Sequence, residues 1–204
     1  MNYPAFYEQA PRIRMRDPLA AFLGAAEDGL LEYAYIDAVR LAGHSCPTVA
    51  GAWLMARSAL QALYPDELAE RGGITVHMPA TESEGVTGVI AQVLTLVTGA
   101  AAGNGFHGIG GRFVRQSLLD YATAPGTAAV QFGRRDNGTA VAVELDLSTV
   151  PAAPNLRELM VTALQPGATA EQRAAFAQAW QGRVQRLLME HADDPQVLRL
   201  TRLH

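Results

Sequence analysis

The chain has 204 residues, 49% of them hydrophobic, with a formal net charge of −4 and a single cysteine. That is enough apolar material for one sizeable core, and one cysteine excludes an internal disulfide. All sixteen basic residues are arginine. They are spread along the sequence without the basic stripe that nucleic acid or an anionic membrane requires, and the absence of lysine excludes Schiff-base, Walker-type and Tyr-xxx-Lys chemistries.

Residues 1–27, with Pro4 and Pro11, read as an irregular arm followed by a short helix that Asp17-Pro18 starts. Leu31 to Tyr35 alternates as a strand, and Asp37 is placed to N-cap a brief helix that Gly43 ends. Val49, Trp53, Ala56, Leu60 and Leu63 recur at helical spacing, predicting a long helix from Pro47 to Tyr64 with one buried stripe. Gly73 to Met78 reads as a strand, and the acidic Thr81-Glu82-Ser83-Glu84 as a cap for an apolar helix over Val86 to Val97. That segment is broken by Thr87, Gln92 and Thr95, too polar to span a bilayer, and no signal-peptide pattern opens the chain, so a cytoplasmic location is expected.

A glycine-rich loop runs from Gly99 to Gly111, and Phe113 to Leu119 reads equally as strand or helix. Ala128 to Phe132 and Ala140 to Leu147 flank Asp136-Asn137-Gly138, a hairpin signal. A helix is expected from Asn155 to Leu164, then a second opened by the capping box Thr169-xx-Gln172, with Phe176, Trp180, Val184 and Leu187 inward. Gln196 to Leu203 alternates as a closing strand. The fold class is α+β, a mixed or antiparallel sheet packed against helices in a single domain. Residues 28–150 form its core and 151–204 its C-terminal helices and strand.

Three constellations carry chemistry. Gly43-His44-Ser45-Cys46-Pro47 places an imidazole two residues before the only cysteine, at a helix start where free N–H groups favour negative charge. A thiolate and an imidazole so placed suit a soft ion such as Zn²⁺, with further ligands sought among Glu82, Glu84, His77 and His107. His191 and His204 carry little signal. Gly103-x-Gly105-xx-Gly108 matches a dinucleotide fingerprint, but Gly110-Gly111 follow where a helix should run. Cys46-Pro47 is also a dipeptide seen at thiolate-ligated haem, which makes haem or another small ligand the alternative occupant.

Taken in order, the Gly-His-x-Cys-Pro motif, amphipathic helix, strand, acidic turn, apolar helix and glycine loop resemble the FmdE family of formylmethanofuran dehydrogenase-related domains, over about residues 30 to 120. The resemblance implies a mixed α+β domain with a metal in a groove, often as a homodimer. It matches His44 and Cys46 to the metal-binding pair. The family's second cysteine falls near Glu84 and its following Asp near Thr87, so both differ here, and the C-terminal zinc ribbon is missing. His44 and Cys46 are expected to hold Zn²⁺ or a similar divalent ion, completed by Glu84 or His107 and an exchangeable ligand. Glu82 is the candidate general base, and Thr48, Thr87, Asn104 and Gly105 are placed around a small-molecule ligand.

Overall fold

The computed structural model describes residues 3–123 and 128–203; His204 lies outside them. Two mixed sheets and seven α-helices are built from these residues, an α+β fold. The chain opens with α1 (Phe6–Gln9), β1 (Ile13–Arg16), α2 (Pro18–Phe22), β2 (Leu30–Tyr33) and α3 (Tyr35–Ala42), followed by α4 (Pro47–Leu63) and the short β3 (Ala69–Glu70). Strand β1 pairs antiparallel with β2 and parallel with β3 in a three-stranded sheet.

The opening segment is not an irregular arm. Phe6, Tyr7, Ala10, Ile13 and Met15 are buried in the core, and the Pro11 carbonyl accepts the indole N–H of buried Trp53 at 2.9 Å. Pro4 and Pro11 bracket the short α1 instead of preventing structure. Asp17 caps α2 as its position predicts, its carboxylate accepting from Leu19 and Ala20. Asp37 does not N-cap α3: it lies inside the first turn and reaches back to the Ala34 N–H at 2.9 Å. Carboxylates serve that third position as well as the cap itself.

The central helix α4 exceeds its expected stripe. From Val49 to Ala56 every residue is buried, because α3, two later helices and the second sheet pack around it. The larger sheet has the order β5-β4-β6-β7-β8, from β4 (Ile74–Met78), β5 (Leu119–Tyr121), β6 (Val130–Arg134), β7 (Ala140–Leu145) and β8 (Leu198–Leu203). Only β4 and β5 run parallel. Strands β6 and β7 form the hairpin that Asp136-Asn137-Gly138 signals, in the register Phe132 to Val141. On β4, Ile74, Val76 and Met78 alternate inward, against Thr75 and His77 on the other face.

Helix α5 (Thr87–Thr98) is a helix despite its β-branched residues, since its apolar side chains and Thr98 find core partners or hydrogen bonds. The acidic run ahead of it does not cap it. Val86 takes the N-cap position, while Thr81 to Thr87 fold as successive backbone turns. Helices α6 (Leu156–Ala163) and α7 (Ala170–Glu190) pack on each other, the latter opened by the reciprocal Thr169–Gln172 capping box. Val184, Leu187 and Leu188 of α7 enter the core, whereas Trp180 is half-buried, and α6 buries no residue fully. Among the described residues, no helix is long and apolar enough to cross a membrane.

Candidate functional site

The turn between α3 and α4 is set by its sequence. Gly43 ends α3 in the left-handed region at φ 74°, where a side chain is disfavoured. Pro47 then occupies the first position of α4 and Cys46 its N-cap, with Sγ accepting from the Val49 N–H at 3.5 Å. His44 folds over the turn: its Nδ1 lies 2.9 Å from the Ala42 carbonyl and its Nε2 3.3 Å from Cys46 Sγ. A proton on Nδ1 is what the carbonyl demands, which leaves the Nε2 lone pair facing the sulfur. His44 is exposed and Cys46 buried, so the pair sits at the rim of the core.

Long-range contacts fix the residue between them. The Ser45 carbonyl accepts from Trp180 Nε1 at 3.0 Å and Gln181 Nε2 at 3.2 Å, and Gln181 Oε1 accepts from the Tyr7 hydroxyl at 3.0 Å. Ser45 Oγ shares a 2.8 Å hydrogen bond with Tyr35 OH. Burial pushes the Tyr35 phenol well up, which keeps it a neutral partner. Tyr7, Tyr35 and Gln181 are therefore positioning residues of the turn, and no local sequence pattern identifies them. Trp180 carries a partial signal, since its spacing on α7 already turns it inward.

The remaining candidates separate. Glu82 and Asn104 line one cavity of about 390 Å³, together with Leu41 near the end of α3 and Tyr121 of β5. Burial, then the charge of Glu82, pushes the Tyr121 phenol up. Glu84 and His107 are both exposed and neither lines that cavity. Among the described residues, no three His, Cys, Asp or Glu side chains come together as a metal-holding group. The set His44, Cys46, Glu84 and His107 is thus not assembled within one chain. His77 pairs with Asp120 across β4 and β5, and His191 with Asp194 at 2.7 Å beside the end of α7.

Thr48 is half-buried in the first turn of α4, and Thr87 is buried at the start of α5 with its N–H donated to the Glu84 carbonyl. Gly105 answers to packing: a Cβ there would lie 2.6 Å from the backbone of Gln116. The loop it belongs to is folded back on itself, with Arg115 and Gln116 donating to the Phe106 carbonyl and Ser117 to Ala102. A helix precedes this loop and irregular chain follows it up to β5. The strand–loop–helix setting of a dinucleotide fingerprint is therefore absent from these described residues, and the glycine spacing does not mark a nucleotide site.

An α+β domain with a histidine and a cysteine at the start of its central helix defines the class. The model of the FmdE family, described by its molybdenum formylmethanofuran dehydrogenase operon, matches residues 41–194, and the chain belongs to that family. The match runs beyond the glycine loop through β4 to β7 of the larger sheet and α7, further than the motif order alone suggests, and stops short of β8. No curated protein matches. Among solved structures, the chain is similar to a tungsten formylmethanofuran dehydrogenase FmdE-like protein from Syntrophus aciditrophicus, at 17% identity and a TM-score of 0.47, covering 84% of this chain and 72% of that one.

Proposed function

We propose that the protein is a metal-binding member of the FmdE family, in which His44 Nε2 and Cys46 Sγ hold one soft divalent ion of the Zn²⁺ type. The observation that carries this reading is their 3.3 Å separation with Nδ1 committed to Ala42. Zinc bonds of about 2.3 Å to sulfur and about 2.0 Å to nitrogen at a tetrahedral angle span roughly 3.5 Å, so both atoms reach one ion with little movement. Two protein donors leave the other positions to exchangeable ligands or to a second copy of the chain, whose Glu84 or His107 would complete the ion. Bound Zn²⁺ supplies Lewis-acid polarisation of a carbonyl or of water. In the cavity that Glu82 and Asn104 line with Arg71, Gln92 and Thr95, Glu82 would act on a small molecule as proton acceptor and Asn104 as hydrogen-bonding partner.

The test is metal content of purified wild type, Cys46→Ser and His44→Ala, each also reloaded with Co²⁺. Serine keeps an N-cap acceptor, so helix α4 survives while the sulfur ligand goes. Stoichiometric metal and a sulfur-to-cobalt charge-transfer band in wild type alone support the site. Equal metal in all three, or none in wild type after reloading, removes it. A Soret band lost in Cys46→Ser would put haem in place of zinc.

A further inference from the structure

The arginines that look scattered in sequence are gathered in space. A cavity of about 430 Å³ is lined by Arg71, Arg112, Arg115 and Arg135, with Glu70 the one carboxylate in its wall. None of Gly43–Pro47 lines it, and of its lining residues only Arg71 is shared with the Glu82–Asn104 cavity. Asp17 lies behind it, its two carboxylate oxygens accepting from Arg71 at 2.9 Å and Arg115 at 2.6 Å. Two carboxylates against four guanidiniums leave two positive charges unbalanced, in a chain whose overall charge is −4.

Neighbouring acids do not make up the difference. Glu67 and Asp136 are both engaged by Arg134, and among the described residues neither Arg112 nor Arg135 has an ion-pair partner. Arg135 is aimed by its Nη1, which donates to the Gly72 carbonyl at 2.9 Å. Arg112 lies over the Phe113 ring at 5.0 Å. Arg115 is 6% exposed, and its Nε and Nη1 are buried with no hydrogen-bond partner among the described residues. Burial, against the opposing pull of Asp17 and together with repulsion from Arg71, lowers its hold on the proton. Uncompensated guanidinium charge behind a cavity wall raises the potential inside it, since a low-dielectric surround screens charge poorly.

The other wall is apolar. Pro18, Phe113 and Val114 face the same space. Phe113 is held at φ 61°, a conformation that bulky residues rarely adopt, with its ring 5.2 Å from that of Phe22. Guanidinium forks match the oxygens of phosphate, and two unbalanced charges match a dianion. The cavity exceeds one phosphate group and offers an aromatic surface to the remainder of the molecule.

We infer that this cavity binds a small phosphate monoester, its dianionic head held by Arg112 and Arg135 over the charge of Arg71 and Arg115, its carbon portion lying on Phe113.

Calorimetric titration of the whole protein at fixed ionic strength tests this, with inorganic phosphate and phenyl phosphate as probes and benzoate as a monoanionic control. Wild type is expected to bind both phosphates saturably, phenyl phosphate more tightly, and benzoate at least about tenfold more weakly than phenyl phosphate. The double variant R112Q/R135Q changes two exposed side chains, so its thermal midpoint should match wild type while phenyl phosphate affinity falls by about tenfold or more. Phe113→Ala should narrow the preference for phenyl phosphate over phosphate. Absence of saturable binding in wild type, equal affinity in the double variant, or benzoate binding as tightly as phenyl phosphate would each overturn the assignment.

Discussion

The Gly43–Pro47 turn and the Asp17–Arg71–Arg115 cluster both tie the first part of the chain to the rest, with opposite materials. The turn is held by neutral donors: two N–H groups on the Ser45 carbonyl and a phenol on its hydroxyl. His44 and Cys46 are left out of any ion pair among the described residues, their reactive atoms facing each other. The cluster is held by charge, with one buried carboxylate between two guanidiniums. Neutral anchors fix geometry without setting a local potential, and charged anchors set a potential that anything nearby must feel.

Breaking the charged anchor should cost most. Asp17→Ala leaves Arg71 and Arg115 facing each other, and removing one partner of a buried pair typically costs about 3–5 kcal/mol. Urea denaturation should show it, and a loss below about 1 kcal/mol would mean that solvent replaces the carboxylate. The second effect is in acid. Burial pushes Asp17 up, but Arg71 and Arg115 outweigh it and hold its carboxyl below the usual range. A group with a depressed folded pKa contributes stability above its unfolded value, lost as pH falls through the folded one. Wild type should therefore lose stability below about pH 4 more steeply than Asp17→Asn, in thermal melts compared across that window. Parallel pH profiles would place the charge dependence elsewhere. The smallest effect tests the neutral anchor. Tyr35→Phe removes the partner of buried Ser45 Oγ and should cost about 1 kcal/mol by urea denaturation, with no added pH dependence between about 4 and 8.

Strong local signals carried most of the fold. The spacing of Val49 to Leu63, the Asp136-Asn137-Gly138 hairpin and the Thr169–Gln172 box each depend on residues close together in one helix or hairpin, and α4, β6–β7 and α7 follow them. Strand β1 left no such trace: its inward residues, Ile13 and Met15, alternate with arginines over only four positions. Helix α1 has one turn, too short for a period to register. The site divides in the same way. His44 and Cys46 are close because they are two residues apart, whereas the residues that pin their turn come from α1, α3 and α7. The arginine cavity shows the limit most clearly. Arg71, Arg112, Arg115 and Arg135 form no sequence run, and only the folding of the loop after α5 against β3 and β6 brings them together.

The two hydrogen bonds from α7 to Ser45 span 135 and 136 residues of chain. Contacts of such separation form late, after the local elements they join, because the intervening chain must first be closed into a loop. A nascent chain that has made α3 and α4 already carries its imidazole and thiol, but not the anchor that fixes the residue between them. Fixing of the turn therefore waits for α7 to dock, so the geometry of its imidazole and thiol depends on the last helix of the chain as much as on their own two-residue spacing.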